Sequence, residues 1–185
     1  VNDTFALVGV SDLQINAIDT SIMYMATGDG DAGDTYSVGI LKSTNSGKAW
    51  HKTSFNFGVD MGLVIRKILV HPSNPDIMWA ATNAGVYKTT DGWATFVGAT
   101  GEAGCYDIEM KPGDPTIIYA AGAGFYRSTD GGLTFATITM PSIPTGGFQR
   151  MAIGVSPANA AYVYLHTGNA TDQGFGGFFR STDSG

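Results

Sequence analysis

Apolar residues in this chain come in short runs separated by polar turns, and the arrangement repeats. A short apolar strand is predicted at 13–18, 65–70, 106–110 and 150–155. Turns rich in Pro, Asn and Asp follow, as in His71-Pro72-Ser73-Asn74-Pro75, Lys111-Pro112-Gly113-Asp114-Pro115 and Ser156-Pro157-Ala158-Asn159. A second strand then carries an aromatic at a fixed place: Tyr24, Trp79, Tyr119, Tyr164. A loop, a third strand, a polar corner and a fourth strand complete each unit. Nowhere does an apolar stripe recur at the 3.6-residue spacing of an amphipathic helix over a useful length. The pattern predicts an all-β chain of four-stranded antiparallel units, with helix content near zero.

The polar corner is the most informative stretch. In Ser128-Thr129-Asp130-Gly131-Gly132-Leu133-Thr134-Phe135 the Ser128 hydroxyl and Asp130 carboxylate are placed to accept hydrogen bonds from the turn's own backbone. Gly132 tolerates the positive φ such a turn needs, and Phe135 is expected to tuck beneath it. The corner recurs with Ser43, Asn45, Gly47 and Trp50, again with Thr89, Asp91 and Phe96, and again with Ser181 and Asp183. In the second of these, Trp93 stands where glycine is expected, and a partly exposed indole is the expectation. A period of about 40–50 residues points to a propeller or solenoid. The repeats are expected at about 11–55, 64–100, 105–140 and 149–185. Thr4-Phe5 matches Thr134-Phe135 and Thr95-Phe96, so residues 1–10 are expected to form the outer strand of a preceding or last blade.

These corners resemble the Asp-box (BNR) repeat of sialidases, sortilin-type receptors and the xyloglucan-cleaving family-74 glycoside hydrolases. The resemblance covers nearly the whole chain and implies a β-propeller of four-stranded blades, about four of them here, as a piece of a longer protein. It carries no activity with it, because the corner stabilises a turn and catalyses nothing. Blades are covered by their neighbours on both faces, which accounts for strands that read as apolar runs.

Composition narrows the function classes. Among 185 residues the 26 glycines and 14% charged residues suit many strands and tight turns. The net charge of −6 argues against a nucleic-acid partner. Cys105 is the single cysteine, so no internal disulfide forms. No apolar run approaches the roughly 20 residues of a membrane span.

Departures from the repeat mark the candidate site. The loop between second and third strands is short at Asn83-Ala84-Gly85 and Gly122-Ala123-Gly124. It is long at 28–37, which holds Asp29, Asp31, Asp34 and Tyr36, and at 168–177, which holds Asp172 and Phe175. In propellers this loop lies on the face that holds ligands. A ring that stacks on sugar C–H faces beside groups that bond hydroxyls suits carbohydrate; the alternative is a pair of polar surface loops. Asp29, Asp31 and Asp34 also supply three hard oxygen ligands for calcium, against the alternative of a solvated acidic loop; no other cofactor is implied. Arg66 and Arg150 precede inner strands and are placed to hold a carboxylate or sugar hydroxyl, or to cap strand ends. His166 stands where other repeats have Ala26, Ala81 and Ala121. His71 is expected to be exposed, and Cys105 to be a buried small hydrophobe.

Two functions follow. One is a secreted or cell-surface module that binds polysaccharide or protein. The other is part of a glycoside hydrolase, xyloglucanase-like before sialidase-like, with Asp29 and Asp172 as the candidate carboxylates of a pair. The resemblance to family-74 enzymes is loose around Asp29, and the arginine pattern of sialidases is missing at the N-terminus. Open blade edges also predict a homo-oligomer.

Overall fold

The computed structural model describes residues 9–30, 35–139 and 148–185. Four antiparallel sheets follow one another along the chain. Blade 1 comprises β1 (Val10–Ile15), β2 (Met23–Thr27), β3 (Gly39–Ser43) and β4 (His51–Asn56). Blade 2 comprises β5 (Ile65–Val70), β6 (Met78–Thr82), β7 (Gly85–Thr89) and β8 (Val97–Gly98). Blade 3 comprises β9 (Cys105–Met110), β10 (Ile118–Gly122), β11 (Phe125–Ser128) and β12 (Ala136–Thr137). Blade 4 has three strands among the described residues: β13 (Phe148–Val155), β14 (Val163–Asn169) and β15 (Phe175–Ser181). The helical content of the described residues is one 3-10 turn, Val59–Met61, and none of their helices is long and apolar enough to cross a membrane. The expected outer strand at 1–10 falls almost wholly on residues 1–8, outside the described residues.

The first strand lies three residues earlier than its sequence suggests, at Val10–Ile15 instead of 13–18. It ends at Ile15 because the Asn16 carboxamide accepts from the Ile18 and Asp19 amides, at 2.8 and 3.0 Å, and turns the chain. Ile18 is left exposed in that turn. Arg66 and Arg150 lie within β5 and β13 rather than ahead of them.

The first strand of each blade packs against the first strand of the next, β1 on β5, β5 on β9 and β9 on β13. Polar side chains tie this inner layer together. Asp12 accepts from the Ile68 amide at 2.7 Å, and Asp107 accepts from the Ile153 amide at 2.7 Å. The intervening blade puts Lys67 in that register, and its ammonium lies 2.7 Å from Asp107 and 2.6 Å from Glu109. Burial pushes the Lys67 ammonium down, but the hydrogen bonds it donates to these carboxylates, with their charges, outweigh it and the pKa is raised.

Because side chains alternate across a strand, each blade buries one set toward its predecessor and the other toward its successor. Ile68, Met78 and Ala80 of blade 2 meet Tyr24, Ala26 and Ile40 of blade 1. The same positions recur at the next two interfaces, with Ile108 and Ile153 in the place of Ile68. Complete burial of such a side chain contributes about 1.5–3 kcal/mol. Leu13, in the equivalent register of blade 1, is 45% exposed and keeps only part of that gain.

The corners satisfy their own backbone. Ser128 Oγ accepts from the Asp130 and Gly132 amides at 3.3 and 2.8 Å and donates to Asp130 Oδ1 at 2.7 Å. Asp130 then accepts from the Leu133 and Thr134 amides and from the Thr134 hydroxyl. Ser43–Asn45–Gly47, Thr89–Asp91–Trp93 and Ser181–Asp183–Gly185 repeat the hydroxyl half of this pattern. The fourth residue of every corner has positive φ: Ser46, Gly92, Gly131 and Ser184.

In blades 3 and 4 that fourth residue is gripped by hydrogen bonds from the preceding blade. Trp79 Nε1 and Lys88 Nζ both donate to the Gly131 carbonyl, at 3.0 and 2.7 Å. Tyr119 Oη and Arg127 Nη1 both donate to the Ser184 carbonyl, at 2.9 and 3.1 Å, and Arg127 also donates to the Gly185 carbonyl. Each gripping pair is a cross-strand aromatic and cation in the same register, as Tyr24 and Lys42 are in blade 1. Tyr24 and Lys42 crowd Gly92, whose Cβ, were there one, would lie 2.8 Å from Tyr24 Oη.

Trp93 is not partly exposed; its accessibility is 0%. Its positive φ of 67° sends the indole into the wedge between blades 1 and 2, where its centroid lies 5.1 Å from that of Phe55. His71 is half-buried rather than exposed, because its Nδ1 accepts from the Ser73 and Asn74 amides and its ring stacks on Trp79. Cys105 is buried, and burial together with the Glu102 charge pushes its thiol up to about 12.

Candidate functional site

The first three inner strands share an irregularity. The pairing slips by one residue between Val10 and Asp12, between Ile65 and Lys67, and between Cys105 and Asp107. An extra residue in a strand re-aims its side chain and bends the edge. The extra residues are Ser11, Arg66 and Tyr106, and all three line one cavity of about 290 Å³ with Val10, Asp29, Gly30 and Arg150. In blade 4 the slip lies one step earlier, between Phe148 and Met151, and carries Arg150 to the same place.

Tyr106 is the centre of this arrangement. The Arg66 guanidinium carbon lies 3.8 Å from its ring centroid and that of Arg150 lies 5.9 Å away. A guanidinium over a phenol ring is attracted by the negative face of the ring. Arg66 is also fixed by backbone, donating through Nη1 to the Cys105 carbonyl at 3.1 Å and through Nε to the Gly30 carbonyl at 3.4 Å. The second bond holds Gly30 against β5. Asp29 is held at the near end of the 28–37 loop, its amide donating to the Thr35 carbonyl at 2.8 Å.

Tyr106 and Arg150 also line a larger neighbouring cavity of about 700 Å³, with Ala152, His166, Gly168 and residues 173–175. Here Phe175 is 72% exposed and lies 5.7 Å, centroid to centroid, from His166. The two cavities adjoin at Tyr106 and Arg150, which line both, and are treated as one cleft with Asp29 and Gly30 on one side and residues 173–175 on the other. Asp29, Arg66, Arg150, His166 and Phe175 are thus brought together. Tyr106 was missed: its signal was the register it shares with Ser11 and Arg66, one residue before Asp12, Lys67 and Asp107.

Other candidates lie elsewhere. Asp172 lines neither cavity; it is exposed and its carboxylate accepts from the Gly174 amide at 2.9 Å, closing its own turn. Tyr36 lies against Gly62, also outside both cavities. Asp31 and Asp34, which the calcium expectation needs, lie outside the described residues.

Radial antiparallel sheets with a loop-lined cleft across their inner strands define a partial β-propeller. Solved structures agree. The chain is similar to an ancestral family-74 glycoside hydrolase at 19% identity and a TM-score of 0.69, over 88% of this chain and 22% of that one. It is similar to the family-74 enzyme of Niastella koreensis at 21% identity and a TM-score of 0.63, over 93% of this chain and 30% of that one. It is similar to the family-74 xyloglucanase of Xanthomonas campestris at 18% identity and a TM-score of 0.63, over 96% of this chain and 29% of that one. At these identities the likeness is one of fold, and the chain spans under a third of each enzyme's length. No protein-family model matches the sequence, and no curated protein sequence does.

Proposed function

We propose that this chain is a carbohydrate-binding part of an Asp-box propeller, and that the cleft centred on Tyr106 holds a glycan. The observation that carries the reading is the set of residues converging there: a phenol with two guanidiniums at its ring, Asp29 on the lining, and an exposed ring at Phe175 beside His166. Flat rings take sugar C–H faces, and forked donors with a carboxylate take hydroxyls. The fold-level likeness to family-74 enzymes, one of them a xyloglucanase, supports a neutral plant-type glucan as the first ligand to try. An extracellular or cell-surface location belongs to the same proposal, since long polysaccharides are met there.

Binding is preferred to hydrolysis on one ground. Glycoside hydrolysis ordinarily needs two carboxylates across the scissile bond. Among the described residues, Asp29 is the one carboxylate lining the cleft, and the carboxylate of Asp172 closes its own turn. Affinity electrophoresis in xyloglucan, with reducing-sugar release measured alongside, tests both. The expected result is retardation without turnover, weakened about tenfold or more by Tyr106→Ala. Retardation unchanged by Tyr106→Ala and by Phe175→Ala refutes the cleft as the binding site. Sugar release abolished by Asp29→Asn makes the chain hydrolytic instead.

A further inference from the structure

The interface between blades 1 and 2 differs from the two that follow it. At the later interfaces a cross-strand aromatic and cation share one acceptor. Trp79 and Lys88 both donate to the Gly131 carbonyl, and Tyr119 and Arg127 both donate to the Ser184 carbonyl. Tyr24 and Lys42 hold the same register in blade 1. Tyr24 Oη lies 2.8 Å, and Lys42 Nζ 3.3 Å, from where a Gly92 Cβ would be. Yet Tyr24 Oη is buried and has no hydrogen-bond partner among the described residues. The Lys42 ammonium rests over the Tyr24 ring instead, 5.2 Å from its centroid. Trp93 Nε1, in the same wedge, is a second buried donor without an acceptor. Buried polar groups of native proteins nearly always have a partner, so two such donors at one interface call for an explanation.

A cavity of about 320 Å³ opens here, with Lys42, His51, Lys52, Asp91, Gly92 and Trp93 on its lining. It shares no lining residue with the cleft around Tyr106. His51 is the cross-strand partner of Lys42, in the place that Val97 and Ala136 take opposite Lys88 and Arg127. The interface that leaves its ring donor unsatisfied therefore also gathers basic groups. Asp91 is the one carboxylate on the lining, and its oxygens already accept from the Thr89 hydroxyl and from the Thr95 amide and hydroxyl. Asp76 lies outside the lining, with Oδ1 3.3 Å from the same Gly92 Cβ position, and its charge opposes an anion there.

We infer that this cavity is an anion site that takes a tetrahedral oxyanion, a phosphate or sulfate group. Lys42 and Lys52 supply the charge and His51 a further donor. One anion oxygen stands to Tyr24 Oη and Lys42 Nζ as the Gly131 carbonyl stands to Trp79 and Lys88. Hydrogen bonds from a cation to an oxyanion are roughly twice as strong as those between neutral groups. The same group is met as a free ion or as an ester on a sugar.

Backbone amide shifts followed by NMR during titration test this, with chloride holding the ionic strength constant. The ligands are sodium phosphate, sodium sulfate and glucose 6-sulfate, with glucose as the control. The expected result is saturable shifts confined to residues 42–54 and 91–95. Lys42→Met weakens binding by about tenfold or more, and Tyr24→Phe weakens it by about threefold. Asp76→Asn tightens it, because a like charge is removed. Glucose 6-sulfate binding more tightly than inorganic sulfate supports the site with an ester as its source, and the reverse supports it with the free ion. No saturable shift from any of the three anions, the same shifts from glucose, or binding indifferent to both Lys42→Met and Tyr24→Phe overturns the inference. Weaker binding in Asp76→Asn overturns the anion as occupant.

Discussion

The corners of blades 2 and 3 have the same frame and opposite fillings. In blade 3 the fifth residue is Gly132, and Phe135, three residues on, is buried to 6% exposure. In blade 2 the fifth residue is Trp93, fully buried, and Phe96 is 40% exposed. The backbone does not distinguish them: the Gly132 amide donates to Ser128 Oγ at 2.8 Å and the Trp93 amide donates to Thr89 Oγ1 at 3.0 Å. The difference lies one blade back. Trp79 lies directly on Gly132 and leaves no room for a side chain, whereas blade 1 presents the smaller Tyr24. An interior packed to crystal-like density needs the volume from somewhere. At one interface the indole comes from the second strand of the earlier blade, and at the other from the corner itself.

Removing the corner indole gives the largest expected effect. Trp93→Ala leaves a cavity beside Phe55 and lowers unfolding stability by about 3–5 kcal/mol, measured by chemical denaturation. Trp93→Gly restores the residue of blade 3 and relieves the positive φ, yet it remains strongly destabilised because Tyr24 is too small to fill the wedge. A Trp93→Gly variant as stable as the parent would break the volume argument. The converse change is smaller. Gly132→Ala drives a Cβ into the Trp79 indole at a φ of 78° and costs about 1–3 kcal/mol. Trp79→Tyr in the same chain, which copies blade 1, recovers part of that loss. A double-mutant cycle showing no coupling between positions 79 and 132 would refute the direct contact.

This pairing of positions far apart in sequence marks the limit of what the chain reveals unaided. The corners were legible because their bonds close within eight residues: the hydroxyl, the carboxylate and the amides they satisfy are local. The strand count per blade was legible from turns and apolar runs for the same reason. Trp93 was misjudged because its burial depends on Phe55 and Tyr24, in another blade. Much of the candidate cleft was readable from departures in the repeat, which single out Asp29, Arg66, Arg150, His166 and Phe175. Tyr106 was not, since a slip of one residue decides which side chain of an inner strand faces the cleft. Asp172 attracted attention as a loop carboxylate, but a turn used it.

Protonation gives the smallest and most selective comparison among the corners. At Asp130, burial pushes the carboxyl up, but bonds from the Thr134 hydroxyl and amide, from Ser128 and from the Leu133 amide together outweigh it and hold it well below its usual range. At Asp91, the Thr95 hydroxyl and amide lower the carboxyl in the same way. A depressed folded pKa contributes stability that is complete above the unfolded value, about 3.9, and is lost as pH falls through the folded value. Blades 2 and 3 therefore carry an acid-sensitive fastening. Blade 1 has none at its corner, because Asn45 makes the same bond to the Ala49 amide, at 2.8 Å, with a group that does not titrate there. Both carboxylates are at the surface, where solvent screens the gain, so each change is small. The denaturation midpoint of the parent is expected to fall between about pH 5 and pH 2, and that of Asp91→Asn/Asp130→Asn to fall less. Asn45→Asp is expected to add little to the slope, since Ala49 supplies no hydroxyl in the place of Thr95 or Thr134. An acid limb equally steep in the parent and the double variant would assign the sensitivity to groups outside the corners.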